Sequence, residues 1–197
     1  MLPTAKRCKK FCKAAAKRVP QRSLNYNHIG RDLRRTGFVP FKSLLDKSFL
    51  RGKHGLSRDE HVHVHRIVSI TCQAGKTIGM VVDLAKTDKY YNNTEWSVYG
   101  IKYLKMNCRS HEVHKREDIV GDLASAVDEL VNDYANSEKL IGVHCKLNRT
   151  VCLISGYPID GMRWTAARVT SEFEFSSGQP IERAHYKRIL YEAEKRI

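Results

Sequence analysis

His144 and Cys145 stand side by side, followed by Lys146, Leu147 and Asn148 and then by Arg149-Thr150. A thiol and a guanidinium this close, at the end of the apolar run 140–143, are the ingredients of a phosphate pocket. A cysteine placed where a buried strand turns into a helix meets exposed backbone N–H groups and the positive end of the helix dipole, which favour a bound phosphate and a thiolate. A guanidinium nearby clamps phosphate oxygens with paired hydrogen bonds. Thr150 is placed to hydrogen-bond the sulfur or the departing phospho-enzyme. Taken alone, Cys-x-x-x-Arg is a weak signal whose default reading is a buried structural cysteine beside a surface arginine, so the surrounding elements must decide.

Residues 77–85 (TIGMVVDLA) form a continuous apolar run with β-branched members, and residues 100–108 (GIKYLKMNC) alternate like a partly exposed strand; both are expected as strands. Residues 116–135 place Ile119, Val120, Leu123, Val127, Leu130, Val131 and Tyr134 on one face at the helical period, with acids at the start. Residues 139–144 read as a buried strand, and 164–175 and 181–196 as helices. Strands alternating with helices define an α/β layered domain. Gly156 and Pro158 fall in the helix expected after the Cys–Arg loop, where a proline kinks or ends it. The tract HVHVHRIVS, as a strand, would line His61, His63 and His65 along one face and suggest a metal site. No Asp, Glu or Cys stands at a spacing that completes coordination, so a polar strand or loop face is the preferred reading and no metal is assigned.

At 197 residues the chain is long enough for one domain with an appendage. No apolar run approaches the roughly 20 residues of a membrane span, so a soluble, non-membrane protein is expected. The six cysteines include no Cys-x-x-Cys pair, and residues 1–22 contain no apolar signal-peptide core. That pattern suits a reducing intracellular compartment with mostly free thiols. Cys8 and Cys12 lie one helical turn apart, with nothing near to complete a metal site. The net charge of +14 is uneven: residues 1–31 hold nine Lys or Arg and no acid, which leaves +5 for the rest. The expected organisation is a basic, disordered arm over 1–22, suited to nucleic acid or nuclear import or simply solvated, followed by one domain over 23–197.

Several blocks together resemble a known family: IGRDLRRTGFVPFKSLLDKSF (29–49), IGMVVDLAKTDKYYNNTEW (78–96), GIKYLKMNCRSHEV (100–113), the His-Cys and Asn-Arg-Thr around 144–150, and GQPIERAHYKRILYE (178–192). The chain is similar, from about residue 18 to 195, to the RNA 5′-triphosphatase branch of the cysteine-phosphatase superfamily. The resemblance implies a protein-tyrosine-phosphatase-like fold of dual-specificity type, with a central mixed sheet flanked by helices. It implies a metal-independent hydrolase with no cofactor that removes γ- and sometimes β-phosphate from RNA 5′ ends. Cys145 would attack the terminal phosphorus and become phosphocysteine, and Arg149 would hold the transferring phosphoryl group. Asp83 matches an acid of the family, either an electrostatic or proton-handling residue or one that fixes the following loop. Lys146, Asn148 and Thr150 would line the pocket, and Lys42 and Lys89 would reach the outer phosphates, unless these lysines are merely solvated. The implied partners are RNA 5′ ends or ribonucleoprotein, with a nuclear or nucleocytoplasmic location.

The chain also departs from the family pattern. The family pocket has five residues between Cys and Arg, commonly Thr-His-Gly-Leu-Asn, whereas here three stand there. The missing pair would supply N–H groups around the phosphate, with a glycine for close approach. Either the strand slides forward two residues and puts Val143 in the nucleophile's place, or it stays fixed and the cradle is short. Ala85-Lys86, Lys89 and Ser177-Gly178 replace family Thr-Asn, Arg and Arg-Gly. Three functions follow for comparison: an RNA 5′-tri/diphosphatase with altered activity, a catalytically impaired module that binds RNA ends or ribonucleoprotein, and a protein tyrosine or dual-specificity phosphatase.

Overall fold

The computed structural model describes residues 27–47, 61–85, 88, 90–106, 117–133, 138–145, 150–181 and 183–197. The basic arm, Lys89 and the loop 146–149 lie outside these residues. Four strands, β1 (Phe38–Lys42), β2 (Ile78–Asp83), β3 (Lys102–Lys105) and β4 (Leu140–Cys145), pair in the order β1-β4-β2-β3. All three pairings are parallel, so the described sheet is parallel where a mixed one is expected; an isolated antiparallel bridge, Ile29 to Phe41, lies outside these strands at the β1 edge. The strand expected over 139–144 is therefore central, beside the strand that carries Asp83. β2 is buried at every position and β4 at all but its last, as parallel strands covered on both faces must be.

The alternation of side chains divides the core in two. Val39, Phe41 and Val81 face α1 (Val64–Gln73) and the 3-10 helix Asn93–Tyr99, which contributes the fully buried Trp96. Phe38, Met80, Val82, Ile141 and Val143 face α2 (Glu117–Asn132), α3 (Thr150–Met162), α4 (Ala166–Ser177) and α5 (Ala184–Glu194). Gly142 has no side chain for a specific reason: a Cβ there would stand 2.6 Å from the Phe41 ring in the neighbouring strand. Gly178 caps α4 in the left-handed region, at φ 70°.

Three local expectations change, and one strand forms where none is expected. The 61–65 tract is not a strand: residues 61–63 lead into α1, whose Val64, Ile67 and Thr71 are buried at helical spacing. Residues 38–42 form a strand despite Pro40, because β1 lies at the sheet edge, where one missing N–H is tolerated. In α2, Leu123, Val127 and Leu130 are buried as expected, but Val131, at the margin of that apolar face, is 48% exposed. α3 runs through Pro158 to Met162 instead of ending there. It is wrapped by α2, α4, α5 and β4, with Val151, Leu153, Ile154 and Ile159 fully buried, and this packing outweighs the lost hydrogen bond.

Candidate active site

All four strands end on the same edge of the sheet, and the ends carry Lys42, Asp83, Lys105 and Cys145. Lys42 is in register with Cys145, and Asp83 with both His144 and Lys105. The carboxyl edge of a parallel sheet is where such folds hold ligands. Cys145 ends β4 on the face covered by α3 and packs against that core. The first residue of α3 closes on it: Thr150 donates to the sulfur from its backbone N–H at 3.4 Å and from Oγ1 at 3.2 Å. Val143 is fully buried in the core, and Cys145 is the last residue of β4. Arg149, Lys146, Asn148 and Lys89 lie outside the described residues.

Asp83 is nearly inaccessible, at 1% exposure. Its Oδ1 accepts from the Ala85 N–H at 2.7 Å, and Oδ2 accepts from Tyr103 Oη at 2.8 Å and Lys105 Nζ at 2.9 Å. These bonds fix the chain leaving β2 and hold a cation beside the carboxylate, which favours the loop-fixing role over an exposed proton donor. Burial, then the Asp83 charge, pushes the Tyr103 phenol up to about 12. Burial works against the Lys105 ammonium, yet hydrogen bonds to Asp83 and Asp88 and the Asp83 charge hold its pKa above the ordinary value.

Behind Cys145, on the opposite face of β4, lies a cluster that sequence reasoning missed. His144 is buried, its Nε2 is 3.0 Å from Tyr91 Oη, and Trp96 Nε1 donates to the same phenol at 3.3 Å. Burial drives the His144 pKa down to about 4 against the pull of Asp83, whose Oδ1 is 3.7 Å from Nδ1, so the imidazole is neutral at neutral pH. The signal was present in the His-Cys and Tyr-Tyr dipeptides, but pairing them requires knowing that residues 91 and 144 meet. Among the described residues no group of three or more His, Cys, Asp or Glu converges as a metal site. No helix among them is long and apolar enough to cross a membrane. Cys72 and Cys145 are not in disulfides.

A parallel sheet with a cysteine at the end of an inner strand, answered by a helix start, is the arrangement expected of the cysteine-phosphatase fold. The pattern of the dual specificity phosphatase catalytic domain matches residues 62–196, and the chain belongs to that family. It is 50% identical over 182 residues to an RNA/RNP complex-1-interacting phosphatase homolog of Caenorhabditis elegans, covering 91% of this chain and 78% of that protein. It is 25% identical over 180 residues to the mRNA-capping enzyme of Mus musculus, covering 90% of this chain and 29% of that protein. The chain spans about half the length of the mouse and human RNA/RNP complex-1-interacting phosphatases. In fold it is similar to the active form of Tk-PTP, with a TM-score of 0.53 and 14% identity over 81% of this chain and 92% of that one.

Proposed function

We propose that this chain is an RNA 5′-tri/diphosphatase acting through a phosphocysteine. The observation that carries the reading is the Cys145 sulfur at the end of the central strand, with two donors of Thr150 directed at it. The Cys145 thiolate attacks the terminal phosphorus and a P–S bond forms. The bond to the bridging oxygen breaks, and the shortened RNA leaves with that electron pair. Water then attacks phosphocysteine, releasing inorganic phosphate and returning the thiolate, with the water protons passing to phosphate and solvent. Thr150 stabilises the sulfur when it departs. Arg149 holds the equatorial oxygens, Lys146 and Asn148 line the pocket, and Lys42 and Lys89 bind the outer phosphates. Asp83 fixes the loop after β2 and keeps Lys105 in place. A pyrophosphate-type leaving group needs little protonation, so this role suffices.

Support for RNA as substrate comes from the names of the similar proteins, which refer to RNA/RNP complexes and mRNA capping, and from the nine cations of residues 1–31. A nuclear or nucleocytoplasmic site of action goes with that substrate. A second reading, an impaired module that binds RNA ends, is favoured by one observation: three rather than five residues separate Cys145 and Arg149. Trapping decides between them. Acid-quenched protein incubated with γ-labelled triphosphate RNA should carry label on wild type and none on Cys145→Ser. Unlabelled wild type that still binds the RNA end would select the impaired module.

A further inference from the structure

Phe175 is 51% exposed on α4, although Phe173, two positions earlier, is buried. Two guanidiniums lie over its ring, Arg31 at 5.0 Å and Arg34 at 5.5 Å from the centroid. Arg35 is exposed beside them. The nearby acids are engaged, Asp32 by Lys76 at 2.6 Å and Glu174 by Lys187 at 2.9 Å. We propose that Arg31, Arg34 and Phe175 form a subsite for single-stranded RNA, in which backbone phosphates bind the two guanidiniums and a base stacks on Phe175. The inference rests on the RNA reading above and extends it from the 5′ end to the body of the strand.

The path from the pocket is built into the edge of the sheet. Residues 28–31 run antiparallel to β1: Lys42 N–H donates to His28 O at 3.1 Å, and Gly30 N–H to Pro40 O at 2.7 Å. Arg31 N–H then donates to Ser176 O at 2.8 Å, which sets Arg31 beside Phe175. Ser176 Oγ answers by donating to Arg31 O. The near end of this segment therefore lies at Lys42, in register with Cys145, and the far end at the Phe175 ring. Three extended residues lead from His28 to Arg31, about 10 Å. At about 3.4 Å per stacked nucleotide, a strand with its 5′ end at Cys145 reaches the ring roughly three to five nucleotides in, beyond the reach of a dinucleotide. Planar guanidiniums keep edge donors for phosphate while lying over a ring, and an aromatic face accepts any base.

The test uses the full chain, with unchanged thermal unfolding as the check on each variant. Binding is measured for a triphosphorylated 12-mer, a 5′-hydroxyl 12-mer and a triphosphorylated dinucleotide, using wild type, Phe175→Ala, Phe175→Trp and Arg31→Gln/Arg34→Gln. Phe175→Ala should weaken both 12-mers roughly tenfold, and Phe175→Trp should restore them. The double arginine variant should lower the salt slope by up to about 1.4, at about 0.7 per phosphate contact. The dinucleotide should be unaffected. Equal affinity of wild type and Phe175→Ala for the 12-mers would overturn the subsite. So would loss of polyglutamate binding with RNA binding intact, which would assign the surface to an acidic protein. If wild type shows no preference for a triphosphate end but Phe175→Ala still weakens the hydroxyl 12-mer, the phosphatase reading fails and the subsite stands.

Discussion

Two tracts of this chain look chemical in one dimension, His61–His65 and His144–Cys145, and the fold treats them differently. In the first, three imidazoles stay together because they are neighbours in sequence. The His61 and His63 ring centroids are 5.3 Å apart, those of His63 and His65 are 6.2 Å apart and stacked, and Tyr99 meets the end of the row with its Oη 3.0 Å from His65 Nδ1. Stacked rings do not converge their nitrogens on one point. In the second tract, groups from all four strands arrive at one edge from positions 42, 83, 105 and 145. What separates a site from a pattern is convergence of distant segments, and the parallel sheet provides it for Cys145 alone.

The largest break in the comparison is expected from the nucleophile. Cys145→Ser should lower phosphate release by at least about 1000-fold, as loss of a covalent nucleophile does, whereas His61, His63 and His65 all changed to Asn should leave the rate within about threefold. Initial rates on γ-labelled RNA measure both. Next in size is the loop. Placing Thr-His-Gly at position 146, so that five residues separate Cys145 from Arg149, should raise the rate by about 100-fold, the worth of a restored oxyanion-type donor. No increase would move the defect to Ala85, Lys86, Lys89 and Ser177.

The layered α/β fold was legible because buried parallel strands are apolar throughout and α2 is amphipathic, both strong periodic signals. β1 was not, since Pro40 argues against a strand until the edge position is known. α1 was hidden by three histidines alternating with valines, a period that tertiary packing overrode. At the site, Cys145 and Thr150 could be named as candidates from type and spacing, and Asp83 and Lys42 from the family resemblance. Lys105, Tyr91, Trp96 and Tyr103 could not, because their importance lies in contacts across as many as 53 positions, as for Tyr91 with His144.

Stability offers smaller effects. Asp83→Leu strips the buried acceptor from Tyr103, Lys105 and the Ala85 N–H and should cost about 3 kcal/mol in denaturant unfolding, because the phenol and the amide lose their partner and Lys105 loses its buried carboxylate and keeps the exposed Asp88. His63→Ala should cost less than about 0.5 kcal/mol. The smallest effect is a pH slope. His144 has a folded pKa of about 4 against an ordinary 6.5, so between these values the unfolded chain binds more protons than the folded one. Stability should therefore rise with pH over that window and be lost as pH falls through it, by at most about 1.4 kcal/mol per pH unit. His144→Asn should flatten the slope measurably. His63, whose pKa is lowered by burial first and then by His61, His65, Arg66 and Lys47, should contribute the same sign but less.

The central claim is that Cys145, placed by the sheet rather than by its immediate sequence, removes phosphate from RNA 5′ ends. The most direct measurement is release of labelled γ-phosphate from triphosphorylated RNA in the presence of a metal chelator, run beside a phosphotyrosyl peptide. Release from RNA that survives the chelator, exceeds release from the peptide and disappears in Cys145→Ser is the predicted result. Release that persists in Cys145→Ser, or a wild-type preference for the peptide, would contradict it.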